Sequence, residues 1–116
     1  MEPTLEQEVV MIENSIKQSR AKVALAESLN KLLKNKDFKA VFLDHFMVSE
    51  VSRTVRLMAD PSCQDPKQQQ LFQNMLTAVG QVDQFIQKTL MMGDRALNDI
   101  TDDEAALEEI LSNPGE

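Results

Sequence analysis

The sequence predicts an all-α fold: a long helical hairpin or a three-to-four-helix bundle with coiled-coil character and a short acidic C-terminal helix. Three observations predict this class. Apolar residues recur at heptad spacing in two long stretches. The four prolines, at positions 3, 61, 66 and 114, lie outside those stretches. No segment alternates apolar and polar residues over the length of a strand.

The composition supplies enough apolar material for one domain but little that would specify a unique core. The chain has 116 residues with a hydrophobic share of 42%, no Trp or Tyr, and seven Met. Because Met is flexible and fills irregular gaps, it defines a core poorly and suits adaptable contact surfaces. We therefore expect a modestly stable monomer that gains buried surface by oligomerisation.

The first helix is predicted to begin at Thr4, an N-cap with Gln7 as its capping-box partner, and to end near residues 34–36. Its heptad positions form a stripe, here called the α1 seam, whose members other than Ser19 and Ala26 we expect to make an oligomer contact. The α1 seam consists of Leu5, Val9, Ile12, Ile16, Ser19, Val23, Ala26, Asn30 and Leu33. The small and polar members weaken such a contact while fixing its register.

A second helical stretch is predicted to follow, with Asp37 as its N-cap. It carries most of the predicted aromatic core, because four of the five Phe lie between residues 38 and 72. A break near residues 45–49, with Ser49 capping a short third helix, is an open alternative. The stretch ends in a loop over residues 59–66, since the residue before Pro61 disfavours the helical region.

The third long helix is predicted to run from Pro66 to a boundary near Gly93. Gly80 is a weak point inside it unless close packing needs a glycine there. Its heptad is Leu71, Met75, Ala78, Val82, Phe85, Thr89 and Met92. Of these, we expect Leu71, Met75, Val82 and Phe85 to join the oligomer contact.

A second apolar stripe on the third helix consists of Phe72, Val79 and Ile86. If the two long helices pack side by side, this outer stripe, or Val10 and Leu25, would meet other subunits. An antiparallel hairpin within one chain would also bury heptad faces. Whether the long helices pair within or between chains is therefore left open.

The net charge of −7 is concentrated at the C-terminus. Residues 94–116 carry eight acidic side chains and one Arg, whereas residues 1–93 carry eleven of each sign. We therefore predict a helical domain at 1–93 and an acidic helical tail at 94–116, with a capping box from Thr101 to Glu104. The tail is predicted to bind a partner protein through Asp102, Asp103, Glu104, Leu107, Glu108, Ile110 and Leu111. Direct nucleic-acid binding is not expected, because an acidic segment repels phosphates.

Candidate catalytic and metal-binding residues are sparse, so we expect neither enzymatic activity nor a cofactor. His45 and Cys63 are the only residues of their kinds. They are too few for a zinc site, and no motif accompanies them as a nucleophilic pair. The acidic tail lacks the alternating oxygens and the Gly turn of a calcium loop.

A cytoplasmic protein with no membrane partner is expected. The single cysteine excludes an internal disulfide and favours a reducing compartment. Neither a secretory signal nor an apolar stretch of membrane-spanning length is visible. A basic corner with few aromatic neighbours is best explained by helix-end capping and solubility. It consists of Lys31, Lys34, Lys36 and Lys39.

Two stretches carry a resemblance to a group of viral proteins. They are Leu32-Leu33-Lys34-Asn35-Lys36-Asp37-Phe38-Lys39-Ala40-Val41-Phe42 and Val55-Arg56-Leu57-Met58-Ala59-Asp60-Pro61. They resemble a pattern in small uncharacterised helical proteins of tailed bacteriophages, which lie among the virion morphogenesis genes. The likeness covers residues 5–92 by order of elements, and the acidic tail departs from it. It implies a minor virion protein or assembly factor, in the host cytoplasm or the virion.

The favoured hypothesis is a non-enzymatic structural or assembly protein that contacts itself and another protein through its helices. One alternative is an acidic inhibitor, a DNA-mimic decoy that covers a basic groove on a host nucleic-acid enzyme or defence protein. A second alternative is a helical oligomer that binds a small ligand near Lys34, Lys36 and Arg53.

Overall fold

A computed structural model describes residues 2–112, and all regular structure in that range is helical. Helix α1 spans Leu5–Lys34. A second continuous segment follows, built from α2 (Lys36–Phe38), a π-helix (Lys39–Ser49) and α3 (Glu50–Ala59). A 3₁₀ turn at Pro61–Cys63 leads to α4, which spans Pro66–Ser112. The predicted all-α class is confirmed for the described residues.

Helix α1 begins at the predicted capping box. The backbone N–H of Gln7 donates to Thr4 Oγ1 at 3.2 Å, and the backbone N–H of Thr4 donates to Gln7 Oε1 at 2.9 Å. The predicted cap of the next helix is wrong, because Asn35 takes that role instead of Asp37. Its Oδ1 accepts from the N–H of Phe38 at 2.9 Å. Asn and Asp are equally good N-caps, and the chain re-enters a helix within one residue of the end of α1.

The helix does not break between residues 45 and 49. Both Ser49 and Glu50 have helical backbone angles where the π-helix passes into α3. Instead of capping, the Ser49 hydroxyl donates to the carbonyl of Asp44, five residues back, at 3.1 Å. This i to i−5 spacing is the hydrogen-bond spacing of a π-helix, so the side chain supports the local backbone geometry.

A carboxylate and two side-chain amides stabilise the loop that the sequence predicts after α3. Asp60 accepts from the backbone N–H and the hydroxyl of Ser62, at 2.8 and 2.7 Å. Gln64 and Gln69 both donate to the carbonyl of Met58, at 3.0 and 3.2 Å. These bonds satisfy a backbone carbonyl at the helix end. Helix α4 then begins at the predicted proline.

Helix α4 runs unbroken over 47 residues, so the predicted boundary near Gly93 and the separate acidic helix are wrong. Gly93 is buried, and a Cβ built on it would overlap the Cβ of Ala26. Thr101 lies inside the helix, where its hydroxyl donates to the Leu97 carbonyl at 3.1 Å. The prediction failed because a hydroxyl residue can bond one turn back inside a helix as well as cap its start.

The chain forms two compact units, residues 2–29 with 89–112 and residues 30–88. Their limits differ from those of the predicted domains, 1–93 and 94–116. The predicted division into a body and a binding tail is a functional one and stays a prediction.

In the first unit, the N-terminal part of α1 packs antiparallel on the C-terminal part of α4. Ser15 Oγ donates to Asp103 Oδ2 at 2.6 Å, while Ala26 lies against Gly93. Most of the buried residues are small, which lets the two helices approach closely. They are Ile16, Ser19, Ala26, Thr89, Gly93 and Ala96.

In the second unit, the segment 36–59 and the α4 residues up to 88 form an antiparallel pair joined by the loop. Thr54, Val79 and Ile86 are its buried residues. The Thr54 hydroxyl donates to the Glu50 carbonyl at 2.7 Å, so its polar atom is satisfied.

The predicted aromatic core is wrong. No Phe of the described residues is buried, and the buried positions hold aliphatic or small side chains. A pair of helices has no interior wide enough to enclose an aromatic ring, which explains why these side chains remain near the surface.

Candidate interaction surfaces

An open apolar groove lies between the two helices of the second unit, with a volume of about 570 Å³. It is lined by Leu43, Met47, Val48, Val51, Leu76, Val79, Gly80 and Asp83. Val79 is its most deeply set member at 7% exposed, whereas Val48 is 62% exposed. Because only Asp83 among these residues carries a charge, the groove suits apolar side chains.

Gly80 leaves part of this groove without a side chain. A Cβ at this position would meet no atom of the chain within 4 Å. A glycine inside a helix costs about 1 kcal/mol relative to alanine, and packing within the chain gives no reason for it here. The bare backbone is therefore accessible to close approach from outside the chain.

Three phenylalanines follow one another along α2 and the π-helix. The ring centroids of Phe38 and Phe42 are 5.1 Å apart with an interplanar angle of 11°, and those of Phe42 and Phe46 are also 5.1 Å apart. Each aromatic pair contributes roughly 0.5–1.5 kcal/mol beyond area burial. All three rings are half-buried, so they stiffen this helix, one wall of the groove.

Glu50 binds two basic side chains where the π-helix meets α3. Arg53 donates to Glu50 Oε2 from Nη2 at 2.8 Å and from Nε at 3.1 Å, and His45 Nε2 lies 3.4 Å from Glu50 Oε1. The hydrogen bond from Arg53 holds the pKa of Glu50 below its ordinary value and raises the pKa of Arg53. His45 is an exposed helix residue.

The small-ligand site considered for Lys34, Lys36 and Arg53 does not coincide with the groove, which none of the three lines. Both lysines are exposed, and Arg53 is held by Glu50. Within residues 2–112, no group of three or more His, Cys, Asp or Glu side chains is placed to hold a metal ion.

The α1 seam is largely covered within the chain. Leu5 and Asn30 are exposed. The other members, Val9, Ile12, Ile16, Ser19, Val23, Ala26 and Leu33, are buried or half-buried. The heptad spacing thus identifies the covered face of α1. Use of that face between chains stays a prediction, and such a contact would have to share it with intrachain packing.

On α4, the better covered stripe is not the heptad of Leu71, Met75, Val82 and Phe85. Leu71 and Phe85 are each 65% exposed. Met75 and Val82 are half-buried, and the stripe of Phe72, Val79 and Ile86 is half-buried to buried. The expectation that this second stripe lies on the outside is wrong. Both stripes are apolar and adjacent, so spacing alone could not choose between them.

The predicted tail residues lie on different faces of α4. Asp103 accepts from Ser15, and Glu104 Oε1 lies 3.5 Å from Arg20 Nη2 on α1. Leu107 and Ile110 are half-buried, whereas Asp102, Glu108 and Leu111 are exposed. Partner binding through this set stays a prediction, and its exposed members are the most accessible to a partner.

Two features were not predicted from the sequence: the packing role of Gly93 and the groove beside Gly80. The sequence does contain a signal for the role of Gly93, because mostly small and apolar residues at a spacing of three and four continue through the predicted boundary. Its positions are Thr89, Gly93, Ala96, Ile100, Asp103, Leu107 and Ile110. No comparable signal marks the groove, because a π-helix changes which residues share a face over positions 39–49.

Comparison of the chain with protein families, with curated proteins and with solved structures finds no match. Within residues 2–112, no helix is both long and apolar enough to cross a membrane. What the chain does must therefore be inferred from its own residues and geometry.

Proposed function

We propose that this chain is a non-enzymatic assembly protein that associates with itself through apolar helix faces. The observation that carries the proposal is the thin core of the two units. Among residues 2–112, the buried apolar side chains are Ile16, Ala26, Val79, Ile86 and Ala96, and no large side chain is fully buried. Since two of these five are alanines, burial within one chain contributes little stability.

Many larger apolar side chains lie on the surface instead. They are Leu5, Val10, Met11, Leu25, Leu32, Val41, Val48, Val55, Leu71, Phe85, Met91, Leu97 and Leu111. Complete burial of one Val, Leu or Phe side chain is worth about 1.5–3 kcal/mol. Partial burial of several would offset the roughly 4–15 kcal/mol that association costs in lost freedom. Self-association would therefore supply burial that a single chain lacks.

Each unit is a pair of helices, which supports the same proposal. In a four-helix bundle every helix has two neighbours, so its inner face is enclosed. A helix pair encloses no such interior, and a second pair would complete it. The bundle that the sequence predicts is thus proposed as a property of the oligomer.

The biological setting that we propose is the assembly of a bacteriophage virion, with a further virion protein as the second partner. This setting rests on the resemblance of residues 32–42 and 55–61 to the phage pattern. Flexible Met side chains on exposed helix faces, such as Met11 and Met91, suit contacts that adapt to more than one partner.

Sedimentation velocity of the full chain tests self-association. We expect a mass above the 13.1 kDa of one chain that rises with concentration. The mass is expected to change little between about 0.05 M and 0.5 M NaCl, because apolar contacts are not screened by salt. A mass of 13.1 kDa at every concentration would contradict the proposal.

A second candidate is the acidic decoy, which the exposed carboxylates of α4 favour. Asp99, Asp102, Glu108 and Glu109 are all exposed in a segment with a single Arg. Binding of a basic protein by this segment would weaken steeply with salt. A chain that stays monomeric and binds a basic protein only at low salt would favour this function over assembly.

A further inference from the structure

We infer that the groove of residues 30–88 is a two-fold contact between two copies of this chain, in which Val48 of each copy packs over Gly80 of the other. The inference rests on the proposed self-association and adds the surface that makes it. Three properties of the groove support it: a helix position without a packing role in the chain, self-complementary walls, and sufficient size.

The two helical glycines have opposite environments. At Gly93, a Cβ would overlap Ala26, so packing within the chain requires the glycine. At Gly80, a Cβ would meet nothing within 4 Å, yet a glycine inside a helix is about 1 kcal/mol less stable than an alanine. A glycine lets another backbone or side chain approach the helix closely. For Gly80, no such neighbour lies within the chain, and a second molecule can supply it.

A second copy fits this position because the groove carries both a ridge, the protruding side chain of Val48, and a notch, the bare backbone at Gly80. Val48, which is 62% exposed, lines it from the π-helix, and Gly80 lines it from α4. A two-fold axis pairs the same patch on both copies, so residue i contacts j and residue j contacts i. When the axis runs along the groove, the π-helix of one copy faces α4 of the other, so Val48 of each copy is directed toward the Gly80 side of its partner.

The size of the face also fits a dimer. The two helices that flank the groove, residues 39–59 and 66–88, are each about 30 Å long. Side by side, at a diameter of about 10 Å each, they present a face of roughly 600 Å². Specific interfaces bury about 1,200–2,000 Å² in total, so about 600 Å² from each of two copies reaches the lower end of that range. Two stacked helix pairs would form a four-helix bundle.

The matched substitutions Gly80→Met and Gln81→Met test the contact. Both add the same flexible side chain to an exposed position of α4, but only Gly80 lines the groove. We expect Gly80→Met to weaken dimerisation by about tenfold or more, because overfilling a packed contact is costly. Gln81→Met is expected to leave it unchanged. Circular dichroism should show undiminished helix content in both, because methionine favours helices.

Disulfide trapping provides a second measurement that does not depend on loss of binding. In a Cys63→Ser background, one preparation carries V48C and another carries G80C. After mixing and mild oxidation, we expect a cross-linked dimer that contains one chain of each kind, because the geometry brings position 48 of one copy to position 80 of the other. A cross-link yield in the mixture no higher than in either preparation alone would overturn the inference.

The outcomes separate this inference from the proposed function. A wild-type chain that stays monomeric contradicts both. A wild-type oligomer that Gly80→Met does not weaken leaves self-association intact and shows that the groove is not its surface. Equal weakening by Gly80→Met and Gln81→Met would likewise overturn the groove contact, because only one of the two positions lies in it.

Discussion

A chain that ends at Gly93 is expected to lose the helical structure of residues 5–29 together with the removed segment. Residues 89–112 are the packing partner of this stretch, through Ser15 to Asp103 and Arg20 to Glu104. Isolated helices of this length are marginal in water. Exposure of Ile16 to water is expected to lower the free energy of unfolding about as much as its substitution by alanine, which costs about 2–5 kcal/mol. Hydrogen exchange should therefore show protection of these amides reduced by about a hundredfold or more.

The control is a chain that ends at Ser112, which retains every helix of the described residues and should keep wild-type protection. An independent binding tail, as the sequence predicts, would leave residues 5–29 protected after truncation at Gly93. That result would contradict the packing of α1 on α4. Truncation at Gly93 therefore removes the tail and also unfolds residues 5–29. Either change could cause a loss of partner binding in that chain.

Alanine substitution at the two helical glycines is expected to have effects of opposite sign. At Gly93, the added Cβ meets Ala26, and overpacking of this kind costs about 1–3 kcal/mol. At Gly80 the added Cβ meets nothing within 4 Å, so the gain in helix propensity should stabilise the chain by about 1 kcal/mol. Urea unfolding at a protein concentration low enough to keep the chain monomeric measures both.

The pair serves as its own control, because both substitutions remove a glycine from the same helix. Stabilisation by Gly93→Ala would show that α1 and α4 do not approach closely at Ala26. Destabilisation by Gly80→Ala under monomeric conditions would show that the notch in the groove is filled within the chain, which would also remove the basis of the groove contact.

The sequence predicts the helices well where their ends depend on local chemistry. The Thr4–Gln7 box and the proline start of α4 have partners within one helical turn, so a pattern of a few residues defines them. The helix break predicted at Gly93 is wrong for a non-local reason. Whether a glycine ends a helix or admits a neighbouring one depends on Ala26, which lies far away in sequence.

The candidate surfaces were less predictable than the helices. Periodicity identified the covered face of α1 but could not choose between two adjacent apolar stripes on α4. The choice depends on which neighbour covers each stripe, as the burial of Val79 and Ile86 shows. The groove depends on the π-helix at Lys39–Ser49, whose different turn repositions side chains in a way that helical spacing of the sequence does not encode.

The most direct test of the central claim, that self-association completes a thin core, is the dependence of the melting temperature on protein concentration. Association stabilises the folded chain by mass action, whereas the stability of a monomer is independent of concentration. Over about a hundredfold rise in concentration, we expect the melting temperature of the full chain to increase by roughly 5 °C. An unchanged melting temperature over that range would contradict the account.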